Sequence, residues 1–131
     1  MAVAMQYGSN EYARSGGASG GGGGISMTLL WTNPAPTSNF SAQTVSLDLS
    51  GYDAVCIITK TTASSDYRYW QFGLVGHSIS MMNKSSTSAT LAGRAAEVTT
   101  SGITFSNGYS GSTAGAANCI PWYIYGIKGL T

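Results

Sequence analysis

The segment Asp53–Thr62, Asp-Ala-Val-Cys-Ile-Ile-Thr-Lys-Thr-Thr, constrains the fold of this chain most. It is rich in β-branched residues and apolar at odd and even positions alike as far as Ile58, the pattern of a strand covered on both faces. Its neighbours also read as strands. Val45, Leu47 and Leu49 alternate with Ser46 and Asp48, as in a half-buried strand. Over Tyr67–Val75, Trp70, Phe72 and Leu74 share one face with Arg68 at its outer end, and Tyr69, Gln71 and Gly73 share the other. Shorter strands are predicted at His77–Met82, Ala89–Leu91, Ala95–Thr100 and Ile103–Ser106. Asn107-Gly108 is the favoured pair for a tight hairpin turn, because both positions tolerate positive φ. Asn33-Pro34-Ala35-Pro36 reads as an extended loop. No segment of ten residues or more carries the helical period, and no repeat recurs at a fixed spacing. The expectation is all-β: an antiparallel β-sandwich, jelly-roll-like, preceded by a flexible Gly-rich segment.

At 131 residues the chain is one domain, able to bury roughly two-thirds of its unfolded surface without metals or disulfides. Only 8% of its residues are charged, about a third of the usual proportion, so hydroxyls and amides must keep it in water. Net charge is +1 and the cations are scattered singly from Arg14 to Lys128. A duplex-binding surface needs them clustered, so no nucleic-acid partner is expected. No apolar run approaches the ~20 residues of a spanning helix, so no membrane insertion is expected either. Met1–Met5 is too short for a signal-peptide core and lacks a basic flank, which predicts synthesis in a cytoplasm. Cys56 and Cys119 form no CxxC pair. They read as buried thiols, a disulfide requiring neighbouring strands with Cα atoms within about 7 Å.

Composition divides the chain at residue 26. Residues 1–26 hold Gly16-Gly17 and the run Gly20–Gly24, a tether by composition. Ahead of the tether lies a mildly apolar peptide containing Val3, Met5 and Tyr7. It is either a docking peptide that pins the domain to a larger particle or a frayed terminus. Residues 27–131 form the β domain.

The last strand is apolar on both parities, with Trp122 and Ile124 on one side and Tyr123, Tyr125 and Ile127 on the other. Either a loop or a neighbouring subunit must cover its outer face. Pro121 donates no ladder hydrogen bond and is expected at the strand's start or on an edge. The run Ile120-Pro121-Trp122-Tyr123-Ile124-Tyr125-Gly126-Ile127-Lys128-Gly129 resembles the C-terminal module of small bacteriophage tail, fibre and baseplate proteins. Leu29–Pro34 and Gln43–Ser50 match the same module, so the resemblance covers about residues 27–129. It implies a virion protein that forms a homotrimer with other virion proteins as partners, and the two-sided strand places Trp122, Tyr123, Tyr125 and Ile127 at the expected subunit interface.

Catalytic chemistry finds little material. His77 is the one histidine, and nothing near it supplies a metal's three or four ligands; it reads as a strand residue. Gly76-His77-Ser78-Ile79-Ser80 lacks the second glycine of a nucleophile elbow, and no helix follows. The domain's carboxylates are Asp48, Asp53, Asp66 and Glu97, and the first three fall at solvated or turn positions. No catalytic residue, metal or cofactor is expected. Binding is better supplied: Tyr67, Tyr69 and Gln71 offer a stacking platform, and Asn107 with Tyr109 a second candidate, for a host-surface glycan. The alternative is that these tyrosines fill a core rim or an interface. The expected function is a non-enzymatic virion structural protein at a tail tip, fibre or baseplate that contributes to host attachment. Capsid decoration or a head fibre, and a free carbohydrate-binding module, are the other readings.

Overall fold

A computed structural model describes residues 24–65, 67–84 and 91–131. Nine strands follow in order: β1 (Ser26–Thr32), β2 (Gln43–Ser46), β3 (Ala54–Thr62), β4 (Arg68–Leu74), β5 (Ser78–Lys84), β6 (Leu91–Thr99), β7 (Gly102–Ser110), β8 (Thr113–Ala114) and β9 (Asn118–Lys128). They form two antiparallel sheets packed as a sandwich. One has the order β1-β9-β3-β4; the other has β2-β7-β6-β5, with β8 paired to β7.

The doubly apolar run becomes β3, buried at every position from Ala54 to Thr61. It lies between β9 and β4, so both its ladder edges are filled and both its faces are apolar. Inward, Val55 and Ile57 join Ile120, Ile124, Leu49, Met81, Val98, Ile103 and Phe105 in the core between the sheets. Phe40 bridges the loop after β1 to this core, edge-on to Trp31 at 6.2 Å and to Phe105 at 5.4 Å. Such aromatic contacts add order ~1 kcal/mol beyond area alone.

Polar groups occupy one end of the core, and most find partners there, Thr61 Oγ1 and Asn107 Oδ1 being the exceptions among the described residues. Arg94 is 3% exposed. Its guanidinium donates to the carbonyls of Cys119 (2.9 Å), Asn118 (2.8 Å) and Ser106 (2.5 Å). Cys119 takes φ 51°, a left-handed conformation for a non-glycine residue, at the point where two successive carbonyls turn onto the guanidinium. Asn83 and Thr59 exchange hydrogen bonds at 2.8 and 2.9 Å, and Gln71 donates to the Asn83 side-chain oxygen at 3.2 Å.

Several local expectations change. Asn107-Gly108 is no turn: both residues lie inside β7. Gly108 is glycine because a Cβ there would stand 2.3 Å from the Asn118 carbonyl and 2.6 Å from that of Gly115. His77 sits exposed in the connection between β4 and β5 rather than in a strand, its N–H donating to Leu74 O. The short strands expected before and after residue 94 are one strand, β6, and residues 89–90 lie outside the described ones. β2 ends at Ser46, although Leu49 beyond it is still fully buried. Pro121 is inside β9, at the irregularity opposite Ile58 and Thr59, where a missing N–H interrupts no regular ladder. The Gly-rich tether as far as residue 23 and the peptide with Val3, Met5 and Tyr7 lie outside the described residues, and β1 already begins at Ser26.

Candidate functional site

The two outer faces of the sandwich differ in chemistry. On the β2-β7-β6-β5 sheet most outward positions are polar, among them Ser78, Ser80, Lys84, Glu97, Thr99, Thr44 and Thr104, all exposed, with Met82, Leu91 and Tyr109 the exposed apolar exceptions. Thr44 and Thr104 are hydrogen-bonded to each other at 2.9 Å. That is the ordinary wet face of an antiparallel sheet.

The β1-β9-β3-β4 sheet has a dry one. Residues directly paired across antiparallel strands share a face, and the register builds three apolar rows. One row is Met27, Ile127, Ala54 and Leu74; the next is Leu29, Tyr125, Cys56 and Phe72; the third is Tyr123, Ile58 and Trp70. The middle of this face is closed, with Ala54, Cys56, Ile58 and Ile127 buried. Its β4 side is open: Trp70, Phe72 and Leu74 are 56%, 58% and 53% exposed. Leu29 is exposed on the opposite edge. At one corner Ile25 and Leu130 join Met27, Phe72 and Leu74 around an apolar hollow of about 290 Å³.

The charges on this face are confined to its other end. Arg68 lies 4.3 Å over the Trp122 ring, and Lys60 reaches the same ring at 5.0 Å. Trp122 in turn stacks on Tyr123 at 5.1 Å and 14°. Consecutive strand residues do not normally share a face; the irregular register opposite Ile58 and Thr59 lets these two. The Lys60 side chain is buried, its ammonium donating to the carbonyls of Pro36 (3.1 Å) and Ala63 (3.0 Å).

Trp122, Tyr123, Tyr125 and Ile127 are thus brought together on one face, the first three half-buried and Ile127 buried. The alternation places the most exposed part of that face, Trp70, Phe72 and Leu74, on one side of β4, but nothing in it marks that side as the outer one. Gln71 faces β5, donating to Met82 O and Asn83 Oδ1, both at 3.2 Å, and Tyr69 is half-buried on that side while Tyr67 is exposed before β4. Asn107 is half-buried with its side-chain oxygen enclosed; Tyr109 is exposed on the wet sheet, beside Gly93 and Ala114.

A second hollow, of about 410 Å³, lies between the loop after β1 and β2, lined by Trp31, Asn39, Gln43 and Thr44 among others. Sequence reasoning missed it because hydrophobic alternation does not show how the loop after β1 folds beside the edge strand β2. Among the carboxylates, Asp53 accepts from the N–H groups of Gly129 (2.9 Å) and Leu130 (3.0 Å) and so anchors the chain after β9. Hydrogen bonds from the Ser50 hydroxyl and N–H hold the Asp48 carboxyl below its ordinary range. Glu97 is exposed, and Asp66 lies outside the described residues. Among the described residues no three of His, Cys, Asp and Glu gather as a metal would require. The two thiols are free and buried, Cys56 on the outer side of β3 and Cys119 in the core between the sheets.

Comparison of the chain with protein-family models, with curated proteins and with solved structures finds no match.

Proposed function

We propose that this protein is a structural subunit of a bacteriophage particle, held in its assembly through the dry face of the β1-β9-β3-β4 sheet. One observation carries the reading: Trp70, Phe72 and Leu74 stand more than half exposed in a row on a face with no charged side chain at its centre. A sheet facing water carries mostly polar residues outward, as the other sheet here does apart from Met82, Leu91 and Tyr109, and contiguous exposed apolar surface marks an interaction site. The phage context comes from the likeness of the Ile120–Gly129 ending to tail, fibre and baseplate modules, and a place on the capsid surface fits the same face equally well. Particles purified from a lysate of the bacterium carrying this gene test the proposal by mass spectrometry. The chain is expected at a fixed ratio to the major capsid protein. Its presence in the soluble fraction alone overturns the reading.

The hollow beside β2 favours one addition, contact with a host-surface glycan. It offers a Trp31 ring with the side chains of Asn39, Gln43 and Thr44 around it, the aromatic-plus-amide combination that polar ligands use. Envelope polysaccharide is expected to change the tryptophan fluorescence of the wild type and not of Asn39→Ala/Gln43→Ala. Equal responses remove the hollow from consideration.

A further inference from the structure

We infer that the occupant of the dry face is a second copy of this chain, packed face to face about a two-fold axis. The inference rests on the reading of this face as an assembly surface and specifies its partner.

Area is the first argument. Ile25, Leu29, Trp70, Phe72, Leu74 and Leu130 are each 44–58% exposed. Taking ~150–250 Å² for a whole large side chain, they present on the order of 600 Å² of apolar surface. The half-buried tyrosines of β9 bring the face toward the ~800 Å² per partner of a stable interface. A transient contact would need less.

Shape and charge supply the second. A single flat face that recognises itself gives an isologous contact, closed by a two-fold axis; a three-fold ring needs two different complementary patches. The centre of the face, around Cys56, Ile58 and Tyr125, has no charge to be matched by a dissimilar partner. Its exposed cation, Arg68, lies at one end beside Trp122. A two-fold axis through the centre sends the Arg68 side chains of the two copies to opposite ends, so the like charges never meet. Twisted sheets stack in this aligned manner at about 10 Å, with side chains from the two faces interleaving.

Sedimentation velocity of the full chain between 1 and 100 μM tests the pairing, with Phe72→Asp and Leu29→Asp on opposite edges of the face and Met82→Asp, exposed on the other sheet, as control. Circular dichroism confirms that each variant is folded. The wild type and Met82→Asp are expected at twice the chain mass, and both face variants at least tenfold weaker in association. Loss of pairing in Phe72→Asp with none in Leu29→Asp would mean that β4 edges pair instead, which overturns the inference. A wild-type monomer at 100 μM, or a three-fold mass, overturns it too. A monomer that is nevertheless found in purified particles overturns the pairing alone and leaves the virion reading standing.

Discussion

Arg94 is the residue whose surroundings are least replaceable. Three carbonyls from two separate stretches, Ser106 in β7 and Asn118–Cys119 at the start of β9, converge on one guanidinium. Arg94→Met fills the space and orphans the acceptors. Since a buried unsatisfied polar group costs about 1–3 kcal/mol, the substitution is expected to lower unfolding free energy by roughly 2–4 kcal/mol in urea titration. The cysteines make a different prediction. Burial raises the Cys56 thiol from its ordinary 9.0 to about 12. Burial also raises Cys119, to about 11, against the opposing pull of Arg94 and a Thr59 hydrogen bond. Neither is a thiolate at neutral pH, so a thiol reagent at pH 8 is expected to label neither until denaturant is added. The sign for stability follows. A folded pKa above the unfolded one favours the folded state's proton, so the contribution is complete below pH 9 and declines from there toward about 12. The urea midpoint of the wild type is expected to fall more between pH 8 and 10.5 than that of Cys56→Ala.

At the scale of the strand, β3 and β4 respond oppositely to truncation. Ile57→Ala empties a site in the core between the sheets, where such changes cost about 2–5 kcal/mol. Phe72→Ser removes a larger side chain but one that faces solvent in a single copy, and is expected to cost within about 0.5 kcal/mol. The comparison is made by chemical denaturation at submicromolar protein. The same pair shows what sequence can reveal. The two-sided apolar run of β3 identifies a central strand by itself, because nothing but cover on both faces tolerates Val55-Cys56-Ile57-Ile58. The alternation in β4 gives two faces correctly and leaves their orientation open, because three large apolar residues ordinarily point inward. Orientation is decided by partners: Gly73 lets Ile79 of β5 approach to where a Cβ would stand 2.4 Å away, and Gln71 reaches Asn83. Those contacts turn Trp70, Phe72 and Leu74 outward. Asn107-Gly108 misleads for a related reason, since a glycine needed for close approach of a neighbouring carbonyl carries the same letter as one needed for a turn.

For the whole molecule, β9 is the strand on which the rest depends. It is the second strand of its sheet, between β1 and β3, and Ile120 and Ile124 reach the common core while Tyr123, Tyr125 and Ile127 close the dry face. A chain stopped before Asn118 leaves β1 without a ladder partner and Arg94 without two of its carbonyls. Such a chain is expected to show no cooperative thermal transition by circular dichroism. The unlike faces of the two sheets have a physical consequence of another kind. A slab richer in hydroxyls on one side and in aromatic and aliphatic groups on the other is an amphiphile. Diluted until single copies prevail, it will gather at an air–water boundary with β4 toward the gas and β6 toward the liquid, lowering surface tension as a detergent does.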